Sequence, residues 1–295
     1  MNFMRFRKIY FLISAAVLVP GILSLIFFGL KPSIDFSGGT LWEILFAEVA
    51  VGGQQSGVAG GIEEVFAAQS LEVASVQPSG DDQFIVRTVP LSTEQHEVLV
   101  AALRERFGEI EEIKFETLGP TLGREMLLKT LLAIVLAISI ILAYVAYRFG
   151  DLMFGVTAIL AMLHDSLILL GIFSLLGHFA SVEVGTLFVT AVLTTLSFSV
   201  HDTIVVFDRI REITRSSPVG LEVAIDQAVG ETLVRSLNNS LTIIFMLLAL
   251  FLLGGESLQW FVFALLIGTI SGTYSSTFTA APLLVVWNRL RLRRC

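Results

Sequence analysis

Asp202 is a carboxylate in a segment, residues 185–207, that is otherwise apolar enough to cross a bilayer; the next charges, Asp208 through Glu212, follow within three helical turns. A charged side chain deep in a membrane helix costs about 2.5–3.5 kcal/mol or more, and where one persists it commonly marks an ion, proton or substrate pathway. Four further ionisable residues share this setting. His201 precedes Asp202, His164-Asp165 falls near the middle of 152–176, and Arg235 falls at the start of 233–253. With consecutive spans running in opposite directions, Asp202 lies about 9 Å before Asp208 and Arg235 lies within a turn of its span's start. The two therefore sit at comparable depth, within reach of an ion pair. Asp165, about 20 Å into its span, lies nearer the midplane.

Such a set can bind and release a proton. A cation beside a carboxylate favours its ionised form, and withdrawing that cation in dry surroundings favours the protonated one. Plainer roles exist for each residue. Asp202 and Arg235 could form a fixed pair that only sets helix packing, or Arg235 could snorkel to the headgroups. Asp165 could bond a neighbouring helix through Ser166 or a backbone carbonyl, and His164 and His201 could be hydrogen-bond partners of the adjacent acids.

The elements that must carry these residues are membrane helices. Of the 295 residues, 55% are hydrophobic and only 15% charged, and the mean hydropathy is +0.82. Soluble domains carry about 25% charged residues. A span needs about 20 mostly apolar residues, and six candidates meet that: 9–30, 126–147, 152–176, 185–207, 233–253 and 258–287. Within the last, Gly268-x-x-x-Gly272 with Ser271, Ser275 and Ser276 has the small-residue spacing of close helix packing.

Residues 31–123 do not fit a membrane. They hold 15 of the 26 acidic residues and five of the 19 basic ones, so the net charge of −7 joins an acidic soluble domain to a slightly basic membrane part. Nothing points to nucleic acid. Arg5, Arg7 and Lys8, then Arg148, then Arg209, Arg211 and Arg215, then Arg289 through Arg294 all fall on one face of a six-span protein. The positive-inside rule makes that face, with both termini, cytoplasmic. The chain then divides into a cytoplasmic start and first span (1–30), an exterior domain (31–123), spans two to six (124–288) and a basic tail (289–295). The first span is long for a signal peptide and reads as a retained anchor. Cys295 is the only cysteine, so the exterior domain has no disulfide and no cysteine metal site.

Within that domain, strand-like alternation at 40–47, 72–77, 83–89 and 110–117 and helical segments at 62–69 and 93–107 give the order β-α-β-β-α-β of the ferredoxin-like split unit. Ser92-Thr-Glu-Gln95 has the form of a capping box. The glycine-rich run 51–61 lacks the Lys-Ser/Thr ending of a P-loop and reads as a mobile connector. Gly38-Gly39 after span one, and Gly119-Pro120 before span two, look like the joints between the exterior domain and the membrane part, with a hinge as the sharper reading. No constellation of side chains supports an enzyme or a cofactor.

The chain contains Ile34-Asp-Phe-Ser-Gly-Gly-Thr40, Leu118-Gly-Pro120, Tyr147-Arg-Phe149, Leu163-His-Asp165, His201-Asp-Thr-Ile-Val-Val-Phe-Asp-Arg-Ile-Arg-Glu212, Arg235-Ser236 and Gly272-Thr-Tyr-Ser-Ser276, in this order. Together these motifs resemble the SecF family, the smaller subunit of the bacterial SecD–SecF accessory complex of the Sec protein translocase, related to the resistance–nodulation–division (RND) superfamily. The resemblance covers nearly the whole chain. It implies a six-helix half that packs against a SecD-like half in the bacterial inner membrane. It further implies use of the proton-motive force to help preproteins leave the SecYEG translocon, with YajC and YidC as further candidate partners. The acid matching Asp202 and the arginine matching Arg235 are then the proton-path residues. The chain departs from the pattern at His201, where asparagine is more usual, at Asn239, where threonine is usual, and at the turn Phe149-Gly-Asp151. Two other functions stay open on the residues alone: a scaffold whose partner carries the proton, and a small-solute proton antiporter.

Overall fold

The computed structural model describes residues 3–46, 55–79 and 82–292. It falls into two compact units, Met1–Lys31 with Leu132–Cys295, and Pro32–Leu131. A 3₁₀ turn, Phe3–Phe6, leads into α1 (Arg7–Phe27). The second unit holds the one-turn α2 (Ile34–Ser37), β1 (Gly39–Phe46), α3 (Gln55–Ala68), β2 (Val73–Pro78), β3 (Gln83–Thr88), α4 (Thr93–Phe107) and β4 (Ile110–Leu118). Then follow α5 (Pro120–Phe149), α6 (Leu152–Phe179), α7 (Thr186–Ser216), α8 (Leu221–Leu253), α9 (Glu256–Ser275), a π-helical turn (Ser276–Ala280) and α10 (Ala281–Leu292). Among the described residues six helical stretches are long and apolar enough to span a membrane, and the chain is a multi-pass membrane protein.

In the second unit the sheet has the order β2-β3-β1-β4, antiparallel throughout. This is the ferredoxin-like arrangement. Trp42, Ile44 and Phe46 alternate along β1 onto one face and are at most 1% exposed, as a period of two requires. They meet Ile62 and Phe66 of α3 and Leu99 and Leu103 of α4, each pair four apart and so on one helical face. Ser92 and Gln95 form the reciprocal capping box that opens α4. Edge strand β4 carries Glu111 and Glu112, charges that blunt edge-to-edge pairing.

The glycine-rich run differs from the sequence expectation. Residues 51–54, with Ala47 and the turn residues 80–81, lie outside the described residues, but Gln55–Gly61 is the start of α3 and not a connector. Glycine weakens a helix by about 1 kcal/mol, and packing overrides that here. A Cβ on Gly61 would lie 2.7 Å from the Phe107 ring, so the missing side chain lets α3 approach the end of α4.

Gly38 (φ +73°) and Gly39 (φ +128°) adopt backbone closed to other residues. A Cβ on Gly38 would lie 2.9 Å from Pro120 Cα, and one on Gly123 would lie 2.9 Å from Gly38 N. The incoming and outgoing connections are thus clamped backbone to backbone. A Cβ on Gly119 would meet only Thr121 Oγ1, at an ordinary 3.9 Å, and Pro120 occupies the first helical position, where its missing N–H costs nothing.

In the helical unit two spans run past their expected ends. Residues 208–216 continue α7, and α8 begins at Leu221, twelve residues before the apolar stretch expected from 233. Charge made these segments look like loops. Ala224, Ile225, Ala228 and Val229 nevertheless form a buried face with Ile210 and Ile213. Helix α1 is fastened to α6, where Gly21 and Gly171 meet backbone to backbone and Ser24 Oγ bonds Ser174 Oγ at 2.7 Å.

Candidate functional site

Asp165 and Asp202 both lie inside the helical unit, 5% and 4% exposed. Helical spacing puts each carboxylate against hydroxyls of neighbouring helices. Oδ1 of Asp165 accepts from Ser271 Oγ of α9 at 2.6 Å, with His164 Nδ1 3.0 Å away. Its Oδ2 accepts from Ser199 Oγ of α7 at 2.6 Å and from Ser275 Oγ of α9 at 2.5 Å. Four groups from three helices thus surround one buried carboxyl group, which meets the need of a buried polar group for hydrogen-bond partners.

The glycines of α9 make this convergence sterically feasible. A Cβ on Gly268 would overlap the Thr195 side chain, and one on Gly272 would lie 3.1 Å from Ser199 Cβ. Helices α7 and α9 therefore approach at 268 and 272, and Ser271 and Ser275, on the adjoining positions, reach Asp165. The π turn begins at the next residue, Ser276. Such wide turns are frequent at functional sites.

Asp202 is held more lightly, by one hydrogen bond from Ser236 Oγ of α8 at 2.9 Å. The ion pair with Arg235 that helix depth suggested is not made. Depth was matched but azimuth was not: successive helical positions diverge by about 100°, and Ser236, not Arg235, faces α7. Arg235 is exposed, and among the described residues it makes no ion pair. It lines a cavity of about 470 Å³ between α7 and α8 together with Val205, Thr232 and Glu231. Val205 and Thr232 each lie within about a turn of Asp202 or Ser236 along their helices.

His201 is exposed and faces α5, lining a separate groove with Ile140 and Tyr144. His164 is buried, and among the described residues its Nε2 has no hydrogen-bond partner; nor do Thr203 Oγ1, next in sequence to Asp202, and Ser240 Oγ, a turn along α8 from Ser236. Sequence reasoning treated Ser271 and Ser275 as packing residues only and assigned no role to Ser199 or Ser236. The available signal was a hydroxyl three residues before Asp202 and two more four apart on the last span. Among the described residues no three His, Cys, Asp or Glu side chains gather as metal ligands.

Residues 98–290 match the family described as protein export membrane protein SecD/SecF, C-terminal. A protein translocase subunit SecF of Thermobaculum terrenum is 42% identical over 97% of this chain and 93% of its own length. This chain belongs to the SecF family. The SecF of a Synechocystis strain is 38% identical over 88% of this chain and 84% of its own length. The SecF-type fold also matches a crystal structure of SecDF, a translocon-associated membrane protein from Thermus, with a TM-score of 0.83 and 32% identity over 98% of this chain. The chain spans 39% of that longer SecDF polypeptide. SecDF in a super-membrane-facing form matches at a TM-score of 0.69.

Proposed function

We propose that this chain is the SecF-type half of an assembly with a SecD-like subunit that assists protein export and draws on the proton-motive force, with Asp202 as the group that binds and releases the proton. The supporting observation is the contrast between the two buried carboxylates. Asp165 on α6 is tied to α7 and α9 by three hydroxyls and serves as a fixed knot. Asp202 is tied by one hydroxyl and lies within about a turn of residues lining a cavity. That cavity offers water a route towards Asp202 from the end of the bundle where Asp208, Arg209 and Glu212 lie. Arg235 stands in the same cavity. A small rotation or slide of α8 would bring it towards Asp202 and favour the ionised form; its withdrawal would favour the protonated one.

In this reading the basic end of the bundle faces the cytoplasm and the unit Pro32–Leu131 faces the periplasm, with Gly38, Gly39, Gly119 and Pro120 as the joint through which the proton cycle moves it. The SecYEG translocon and the emerging preprotein are the working partners, with YajC and YidC as accessory ones, and the chain catalyses no reaction of its own. A scaffold built on a static Asp202–Arg235 pair is less well supported, since the two side chains are not bonded. The test is Asp202→Asn in inverted membrane vesicles carrying the co-expressed partner subunit. Assembly should persist while stimulation of export by a proton gradient is lost. Undiminished gradient-dependent export would exclude Asp202 as the carrier.

A further inference from the structure

His164 plays no part in this mechanism, although it is only 6% exposed inside the helical unit. What it faces follows from the way α1 meets α6. The two helices run in the same direction, and their contacts keep one register. Gly21 meets Gly171, and Ser24 bonds Ser174. About two turns before each glycine stand Ser14 on α1 and His164 on α6. Ser14, Gly21 and Ser24 are the residues that α1 buries. Ser14 therefore faces α6 at the level of His164.

The two ring nitrogens of His164 have different surroundings. Nδ1 lies 3.0 Å from Asp165 Oδ1, which also accepts from Ser271. Nε2 is buried and has no hydrogen-bond partner among the described residues. The groups near the ring are nevertheless polar. Ser14 Oγ lies 3.4 Å from Thr279 Oγ1 in the π turn, and Ser14 also hydrogen-bonds the Tyr274 side chain. The Tyr274 hydroxyl donates to Tyr10 O at 2.8 Å, and its ring lies nearly parallel to that of His164 with centroids 6.5 Å apart. Leaving a buried polar atom unpaired costs about 1–3 kcal/mol. One buried water with about three polar partners removes that cost. Besides Nε2, the partners at hand are Ser14 and Thr279. Their mutual contact of 3.4 Å is longer than a normal hydroxyl–hydroxyl bond, so both keep capacity for a further bond.

We infer that His164 is a positioning residue for Asp165, with Nδ1–H donating to the carboxyl group and Nε2 bonded to a buried water that Ser14 and Thr279 hold. Which ring nitrogen carries the proton is set by the bond the other one makes. Helix α1 and the π turn thus fix the face that the imidazole presents to Asp165. Serine hydroxyls already donate to both carboxyl oxygens, and Nδ1–H adds one more donor to the same acceptor. The network extends the knot of α6, α7 and α9 to α1. It rests on Asp165 as that knot and not on Asp202 as the proton carrier.

The experiment is solid-state NMR of the full chain in lipid bilayers, labelled with nitrogen-15 histidine. In the protein used, the other histidines, His96, His178 and His201, are replaced by glutamine, so that every histidine signal belongs to His164. Nδ1 should carry a proton, seen as a directly bonded proton–nitrogen correlation. Nε2 should receive magnetisation from a slowly exchanging water. Ser14→Ala with Thr279→Val should abolish that transfer and shift the Nε2 signal while the Nδ1 proton stays. A bare Nδ1 overturns the donor role. An Nε2 that receives nothing from water, or that is unmoved by the double variant, overturns the water site. Should the labelled variants not fold, unfolding of single variants in mixed micelles decides. His164→Asn keeps a donor in the place of Nδ1 and should hold the midpoint close to that of the wild type, whereas His164→Leu should lower it. Equal loss in both overturns the inference. None of these readouts depends on export, so their failure is separate from a failure of the Asp202→Asn test.

Discussion

Replacing each buried aspartate by alanine should separate the fixed carboxylate from the mobile one. Asp165→Ala and Asp202→Ala delete side chains of the same size at nearly equal burial, so the packing and desolvation terms largely cancel between them. The difference lies in hydrogen bonding. Asp165 loses three interhelical bonds, from Ser199, Ser271 and Ser275, and Asp202 loses one, from Ser236. An interhelical bond in a membrane protein averages about 0.6 kcal/mol and reaches about 1.7 kcal/mol, so about 1.2 kcal/mol is taken for each of these short, buried bonds. The expected losses are then about 4 kcal/mol for Asp165→Ala and about 1 kcal/mol for Asp202→Ala. Equilibrium unfolding of the purified protein in mixed micelles titrated with dodecyl sulfate reads both. Asp165→Asn, which keeps one acceptor oxygen, should fall between the wild type and the alanine variant. If Asp202→Ala proved as destabilising as Asp165→Ala, the assignment of Asp165 as the knot joining α6, α7 and α9 would be wrong.

Three other outcomes follow from the packing. Gly268→Leu should abolish the α7–α9 contact and the yield of folded protein, whereas Gly272→Ala, facing Ser199 at 3.1 Å, should cost only a modest drop in melting temperature. Gly38→Ala should destabilise strongly through its positive φ and its contact with Pro120, while Gly119→Ala should be nearly neutral; limited proteolysis within 32–118 of the full chain distinguishes them. Ser92→Ala removes the α4 cap and should cost about 1 kcal/mol, seen as faster amide exchange in the first turn of α4.

The fold of the unit Pro32–Leu131 was legible because its signals are local. Alternation along β1, the Ser92–Gln95 box and the spacing of Leu99 and Leu103 each follow from neighbours in sequence. Where a long-range contact outweighed a local preference, as Phe107 does for Gly61, the sequence misled. Similarly, the charges of 208–212 concealed the continuing helix, because the apolar face that supports it is shared with α8 and is not continuous in either segment.

The sequence alone determined that six spans carry two costly carboxylates, one basic face and an acidic domain with β-α-β-β-α-β order, since hydropathy and charge are properties of composition. It placed Asp202 and Arg235 at matching depth, since depth depends only on the rise per residue. The tertiary structure decided what each side chain faces. Azimuth depends on how helices rotate against one another, and that is set by contacts such as Gly268 on Thr195 and Gly272 on Ser199. Those contacts turned Ser236 towards Asp202 and Arg235 into the cavity, and they gathered three hydroxyls around Asp165, a residue whose sequence context gave little sign of being the most tightly held of the two.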